Sequence, residues 1–487
     1  MDRKWRALII VCVAIFMLLL DITVVNVALP SIQKELHTSF VDLQWVVDAY
    51  ALMLATATLT AGSLGDLLGR KRVFIAGVLL FTAASAACGA ANSPLFLNLA
   101  RGFQGVGGAI MFAVSLAILS QEFHGKERGT AFGIWGATIG AAVAIGPLVG
   151  GVLTTWLGWR WIFFVNLPIG IACAIGSVRV LHESRNEEHG GFDPAGFVTL
   201  TGGLFALVLA LLRGNDWHWG SGRELTLLAV AAVLLIAFVV IELRQAAPTF
   251  DVRLFRVPTF TAAQIVAFTI SGGMFAQFLY LTLYLQNVLG YSPIQAGLRF
   301  LPLSLVSFFV APVAGRLSAR LPVRLLLGLG LALTGLALVL MSMVKVSSGW
   351  TVLLPGFIIS GIGIGLVNPP LASTAVSVVE PRLAGVASGI NTTFRQIGIA
   401  TGIAGLGAIF QNRIASGLHG AGISTKVVAS GHVLQGGALA RHAFVSGLHT
   451  ILLVGAFVAF AGAVLALLLV RQQDFVASGR PATAPAS

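Results

Sequence analysis

Charge is scarce in this chain. Asp, Glu, Lys and Arg make up 10% of its 487 residues, against roughly 25% in a soluble domain. A surface so poor in charge does not suit water, and with 57% hydrophobic residues and a mean hydropathy of +0.93 the chain belongs in a bilayer. Cysteine is nearly absent as well. Cys12, Cys88 and Cys173 lie inside apolar runs without CxxC or paired spacing, so neither a disulfide framework nor a thiol site is implied. No phosphate-binding GxxxxGK[ST] and no HExxH occurs, and the clusters GVGG (105–108) and GIGIG (361–365) lie in apolar spans with no strand before them. No enzyme activity, cofactor or metal site is expected. Acids number 18 against 30 bases, a net charge of +12. Because the bases sit in short loops rather than on one patch, they read as topogenic charge facing anionic lipid, and no nucleic-acid partner is expected.

What the chain has in abundance is apolar runs of about 20 residues, enough for a helix across a bilayer core and too long for barrel strands of about ten. The start, MDRKWRALIIVCVAIFMLLL, resembles a signal peptide, but its apolar run continues to Leu29, which predicts an uncleaved first helix. The expected fold is an all-α integral membrane protein with fourteen transmembrane helices. An even number puts both termini on one side, and the concentration of Arg and Lys in the loops of that side makes it cytoplasmic. Gly65-x-x-x-x-Arg70 recurs as Gly315-x-x-x-x-Arg320, an offset of 250, and Gly129-x-Ala131-x-Gly133 recurs as Gly385-x-Ala387-x-Gly389, an offset of 256. Two six-helix bundles in parallel repeat with two inserted helices between them would produce this pattern. The expected boundaries are a first bundle at 1–181, a cytoplasmic linker at 182–195, the inserted pair at 196–243, a second linker at 244–258, a second bundle at 259–470 with an external loop at 412–446, and a cytoplasmic tail at 471–487.

Residues 62–74, GSLGDLLGRKRVF, interrupt the apolar sequence between the second and third spans. A topogenic loop explains Arg70, Lys71 and Arg72. It does not explain Asp66, which can pair with a base or cap an adjacent helix terminus, or Gly62, Gly65 and Gly69, which remove side chains where helices and a tight turn approach closely.

The pattern G-x-L-x-D-x-x-G-R-[RK]-x over Gly62–Val73 resembles the cytoplasmic loop signature of the major facilitator superfamily. That resemblance implies a loop that latches the two bundles in the outward-facing state. The second-half copy has Arg316 at the acid position, so only the first loop is expected to form the full clasp. LLLDITVVNVALPSI (18–32) is similar to the first-helix signature of the fourteen-helix drug:proton antiporters, and LNLARGFQGVGGA (97–109) resembles their fourth-helix motif with its buried arginine, here Arg101. GATIGAAVAIGPLVGG (136–151) resembles the fifth-helix antiporter motif, and WRWIFFVNLPIG (159–170) resembles the segment after that helix in the same family. By this resemblance Arg101 takes part in proton transfer and the fifth-helix motif seals against leakage. Gly146, Pro147, Gly150 and Gly151 are expected to break the fifth helix and offer a flat surface to a helix of the other bundle.

Ionisable residues at bilayer depth cost about 2.5–3.5 kcal/mol and are functional candidates by default. Asp21 and Asp48 are the acids clearly inside spans. Asp21, about 21 Å along the first helix, is expected to be the proton-coupling acid or its partner, with a structural hydrogen-bonding role as the alternative. Asp48, nearer the external interface, has hydration as its alternative, and Arg101 has snorkelling. Candidate cavity residues are Asn26, Gln104, Trp135, Phe275, Gln277, Tyr280, Tyr284, Asn391, Arg395 and Gln396, each aromatic having lipid or core packing as its other reading. Some members of the resembled family that expel cations carry additional acids in the C-terminal helices. Here those spans hold Arg299 and Arg395 without Asp or Glu, which argues against a dicationic substrate. The expected function is proton-driven export of small amphipathic drugs or antibiotics across a bacterial plasma membrane, by a chain working as a monomer. The alternatives are a dedicated exporter of an endogenous metabolite or lipid, and a non-transporting receptor or scaffold.

Overall fold

In the computed structural model the described backbone covers residues 2–37, 40–123, 125–185, 193–245, 252–318, 320–380, 383–419, 423, 425–429 and 437–475. The remaining parts of both expected linkers, of the 412–446 segment and of the tail lie outside the described residues. So do the side chains of Asn26, Pro147, Phe275 and Gln277.

Among the described residues every regular element is helical. The first half comprises α1 (Arg3–Leu36), α2 (Phe40–Leu68), α3 (Arg70–Gly89), α4 (Pro94–Glu122), α5 (Gly125–Trp156), the short α6 (Trp161–Phe164) and α7 (Asn166–Val180). A hairpin of α8 (Pro194–Trp217) and α9 (Gly222–Arg244) follows. The second half comprises α10 (Pro258–Leu283), α11 (Pro293–Leu317), α12 (Val323–Ser342), α13 (Leu354–Ser377), α14 (Ala384–Gly417), the short α15 (Thr425–Ala429) and α16 (Gly437–Leu469). In lipid each backbone polar group must be bonded within its own segment, which is why long apolar runs become helices. Several of their starts carry side-chain caps. Ser93 accepts from Phe96 N ahead of α4, Asp193 accepts from Ala195 N and Gly196 N ahead of α8, and Ser292 forms a reciprocal capping box with Gln295 ahead of α11.

Thirteen helical stretches among the described residues are long and apolar enough to cross a bilayer, α6 and α7 counting as one. The 32-residue α5 is not among them, yet it packs against α1, α11 and α13. The 412–446 segment departs from expectation. α14 runs on to Gly417, α15 buries Val428, and α16 begins at Gly437 with Ala440, Ala443 and Phe444 in the core. Alanine-rich sequence of low hydropathy imitates a loop, but alanine is the best helix former and packs well in a close helix pair.

Two apolar cores result. One runs through α1–α5 and α7 and extends to Ala372, Val376, Val386 and Ile390 on α13 and α14; the other fills the space among α10–α14 and α16. Both ends of the described chain lie at one face. Arg3 Nε donates to Val180 O at 2.5 Å and Lys4 pairs with Glu127 at 2.7 Å, while Thr259 N donates to Asp474 Oδ2 at 3.2 Å and Phe475 touches both cores. The α8–α9 hairpin docks through α8 along the seam between the halves, where Leu52 and Ala55 of α2, Val208 of α8 and Ala400 of α14 form a small cluster. Thr60 and Thr201 share a 3.0 Å hydrogen bond on the same seam. α9 turns Leu225, Val233 and Ile236 outward, as a lipid-facing helix would.

Candidate functional site

The repeated motifs meet crosswise at the face that holds the termini. The first-half loop motif packs on the start of α14, where Gly62 lies against Gly385 and Gly389; the second-half copy packs on the start of α5, where Gly315 lies against Gly129 and Gly133. A side chain at Gly62, Gly129 or Gly315 would run into backbone of the other half, which is why small residues recur there. Asp66 is 0% exposed and serves both expected uses at once. It pairs with Arg70 Nη2 at 2.7 Å and accepts from Gly385 N at 3.2 Å and Val386 N at 2.9 Å, capping α14 from the opposite half. Gly69 has φ of +108°, a value a side chain would strain, and turns the chain from α2 into α3. Glu183 then takes the backbone N–H groups of Lys71 and Arg72. At the matching position of the other half, Arg316 has no acceptor to offer a helix start and is exposed.

At depth in the first half, Asp21 and Arg101 are each 1% exposed and form an ion pair at 2.5 Å. Asp21 also accepts from Gln104 Nε2 at 3.0 Å and from Asn166 Nδ2 at 3.1 Å. Arg101 donates to Val46 O at 2.9 Å and to Gln104 Oε1 at 2.8 Å, with its guanidinium 4.2 Å above the Tyr50 ring. Arg101 therefore does not snorkel. Gln104 belongs to this network rather than to the cavity where the sequence suggested it. Asn166, Ser85 (Asn166 Nδ2 to Ser85 Oγ, 3.0 Å) and Tyr50 complete the network and were not singled out from sequence. Asn166 lay in plain view within WRWIFFVNLPIG. The same motif anchors the opposite face, where Trp159 Nε1 donates to Glu35 Oε2 at 2.7 Å and Arg160 pairs with the same carboxylate. The Arg160 hydrogen bond above all holds the Glu35 carboxyl below its usual range.

Asp48 takes a different partner, Arg213 of α8, at 3.2 Å, with the Arg213 guanidinium 4.4 Å from the Trp45 ring. Arg213 is buried, at 3% exposure, by the docking of the hairpin. Truncating either member leaves a buried charge without its partner. Asp48→Ala and Arg213→Ala are each expected to destabilise the protein by about 3–5 kcal/mol, and Asp48→Leu with Arg213→Met to recover most of the loss. Thermal unfolding of the four proteins in one detergent checks this, and a Leu/Met protein no more stable than the single variants would refute the coupling.

The α5 motif differs from expectation. The helix is unbroken through 146–151. Gly146 and Gly150 receive Thr23 and Val24 of α1 in their own half, and only Gly151 faces the other half, at Ile294 of α11. Glycines 129, 133, 136 and 140 are the ones turned toward α11 and α13. Spacing along one helix permits several faces, and the packing decided between them.

A narrow pocket of about 40 Å³ opens between the halves, lined by α5, α10, α11, α13 and α14. Of the expected cavity residues whose side chains are described, Arg395 lines it. Asn391 stands behind Arg395 and donates to Gln264 Oε1 at 3.2 Å, and Gln396 is half-buried away from the lining. The aromatics take their packing role. Trp135 is 0% exposed and meets Phe112 edge-on at 5.6 Å. Tyr280 meets Phe410 at a tilt, with ring centroids 4.7 Å apart, and Tyr284 donates to Ser348 O at 3.2 Å. Large rings fill the most volume where helices diverge, so the cores claim them.

Two helical halves that close on each other's repeated motifs, with charge paired at depth, define a multi-pass membrane transporter. The profile of the Major Facilitator Superfamily matches residues 11–403. The chain is 36% identical over 417 residues to the tetracenomycin C resistance and export protein of Streptomyces glaucescens, covering 85% of this chain and 77% of that one. It is 38% identical over 400 residues to the multidrug resistance protein Stp of Mycobacterium tuberculosis, covering 81% and 74%, and 35% identical over 442 residues to a puromycin resistance protein of Streptomyces alboniger, covering 88% and 86%. In fold it matches the crystal structure of the human organic anion transporter MFSD10 (TETRAN) with a TM-score of 0.63 at 16% identity, over 94% of this chain and all of that one. The chain belongs to the Major Facilitator Superfamily and is a multi-pass protein of the bacterial cell membrane.

Proposed function

We propose that this chain exports small amphipathic drugs or antibiotics in exchange for protons, by alternating access between two six-helix bundles. The names of the relatives support export, and the Asp21–Arg101 pair carries the coupling. One guanidinium and two amides hold this carboxylate at depth. Ionised, it satisfies Arg101; protonated, it releases that bond and changes how α1 packs on α4. In this reading α5 supplies the fourteenth span, residues 1–181 and 259–470 form the bundles, and the face with the termini is cytoplasmic and sealed by the Asp66 clasp. The chain acts as a monomer, with the proton gradient as its only energy source. One proton at a force of about 150 mV supplies roughly 3.5 kcal/mol, a gradient of about 300-fold at 1.4 kcal/mol per decade.

The test is the lumenal pH of acidified inverted vesicles during addition of a panel of lipophilic compounds. Drug entering the lumen in exchange for protons should raise lumenal pH, and only in vesicles carrying the protein. A response to one compound class alone would favour a dedicated metabolite exporter. Silence across a broad panel would remove the drug reading.

A further inference from the structure

The pocket between the halves has one charged wall. Arg395 of α14 donates through Nη1 to Asn368 Oδ1 at 3.0 Å and through Nε to Asn391 Oδ1 at 3.4 Å. Asn391 is itself oriented by Gln264, so the guanidinium is fixed by a chain of amides rather than by a carboxylate. Its Nη2 is buried and, among the described residues, has no hydrogen-bond partner. From residue 258 to 470 the chain contains a single acid, Glu380, just beyond the end of α13. The Asp21 carboxylate is already occupied by Arg101. A guanidinium at bilayer depth is costly unless something compensates it, and an orphaned donor in a pocket marks where a ligand atom belongs. The rest of the lining is suited to an amphipathic molecule, with hydroxyls from Ser271, Ser304 and Ser307 beside Ile270 and Ile364.

We propose that Arg395 is an oxyanion site, and that the compounds this pocket takes carry a carboxylate or phenolate that pairs with its guanidinium. The inference rests on the export reading for its biological sense and narrows the substrate class to acidic amphipaths. A planar guanidinium suits this because it offers two parallel N–H donors to one oxyanion. With Nε and one Nη1 proton directed at amides, the buried Nη2 is the donor left to be matched.

The experiment compares a naphthalene carboxylate with its neutral carboxamide, as stabilisers of the purified full chain against thermal unfolding in detergent at matched sodium chloride. The carboxylate should reach half its effect at a concentration at least about tenfold lower than the amide, the range of one charge-assisted hydrogen bond. Arg395→Gln should erase that ratio and Arg395→Lys keep part of it. Equal action of the two probes on the parent protein, no shift by either, or a ratio that survives in Arg395→Gln would each overturn the proposal. The parent comparison needs no variant to fold. Absent selectivity together with intact drug-driven proton movement in vesicles overturns the anion site and leaves export standing. Intact selectivity without such proton movement overturns export and leaves the anion site.

Discussion

Asp21→Asn is expected to lower drug-driven proton movement in vesicles by at least about a hundredfold while the chain still reaches the membrane. The substitution removes the carboxylate and keeps the side-chain shape. It also turns an amide donor or a neutral carbonyl toward Arg101, whose 2.5 Å partner it replaces. Breaking a buried pair by removing one member costs about 3–5 kcal/mol. Part of that loss is avoided here, since the Asn carbonyl can still accept from Gln104 or Asn166. The diagnostic readout separates coupling from translocation. Accumulation driven by the gradient should vanish, while exchange of labelled for unlabelled drug without a gradient should persist, because that exchange needs no change in protonation. Asp21→Glu retains the acid and should keep some coupling, with a shifted pH profile. A proton response of half the parent value in Asp21→Asn would move the coupling elsewhere. Asp48 would then be next, although its pairing with Arg213 commits it to holding the hairpin.

Asp66→Ala is expected to open the sealed face. Two kinds of bond are lost, and only one of them biases the conformation. The Arg70 pair lies within the α2–α3 turn and can survive in either state. The bonds to Gly385 N and Val386 N cross between the halves and exist only when they are closed. At about 1.5 kcal/mol for each hydrogen bond to a charged group, their removal shifts the equilibrium by roughly 3 kcal/mol, about a hundredfold in population. The closing contact of Ser388 Oγ with Ala113 O, 2.6 Å, offers a reporter. A cysteine introduced by Ser388→Cys should react with a membrane-impermeant maleimide about a hundredfold faster from the face with the termini once Asp66 is removed. Asp66→Asn, which keeps one acceptor, should fall between. An unchanged labelling rate would mean that glycine packing alone, at Gly62 against Gly385 and Gly129 against Gly315, seals this face.

The most legible parts of the site were those in which the sequence broke its own apolar rule. Asp21, Asp66 and Arg101 drew notice because charge is rare in these runs, and the structure pairs each of them. Asn166, Ser85 and Gln264 are polar but common, and nothing in their local sequence marks them. Trp135, Tyr280 and Tyr284 misled as cavity residues for a related reason. A span that is apolar on every side carries no periodic signal for which face meets a partner, so an aromatic reads equally well as lining, core or lipid contact.

From its sequence alone the chain is determined to be a helical membrane protein with a repeated motif at 62–74 and few deep charges, because burying backbone in lipid and leaving charge out of it are local, additive costs. Only the tertiary structure decided that the two motif copies pack crosswise, that Asp48 meets Arg213, that Gly146 and Gly150 serve α1, and that Arg395 stands beside an open pocket. Those pairings join positions as far apart as Asp66 and Val386, 320 residues along the chain. Helices of similar apolar composition can pack in many registers, and shape and the few hydrogen bonds between them select one.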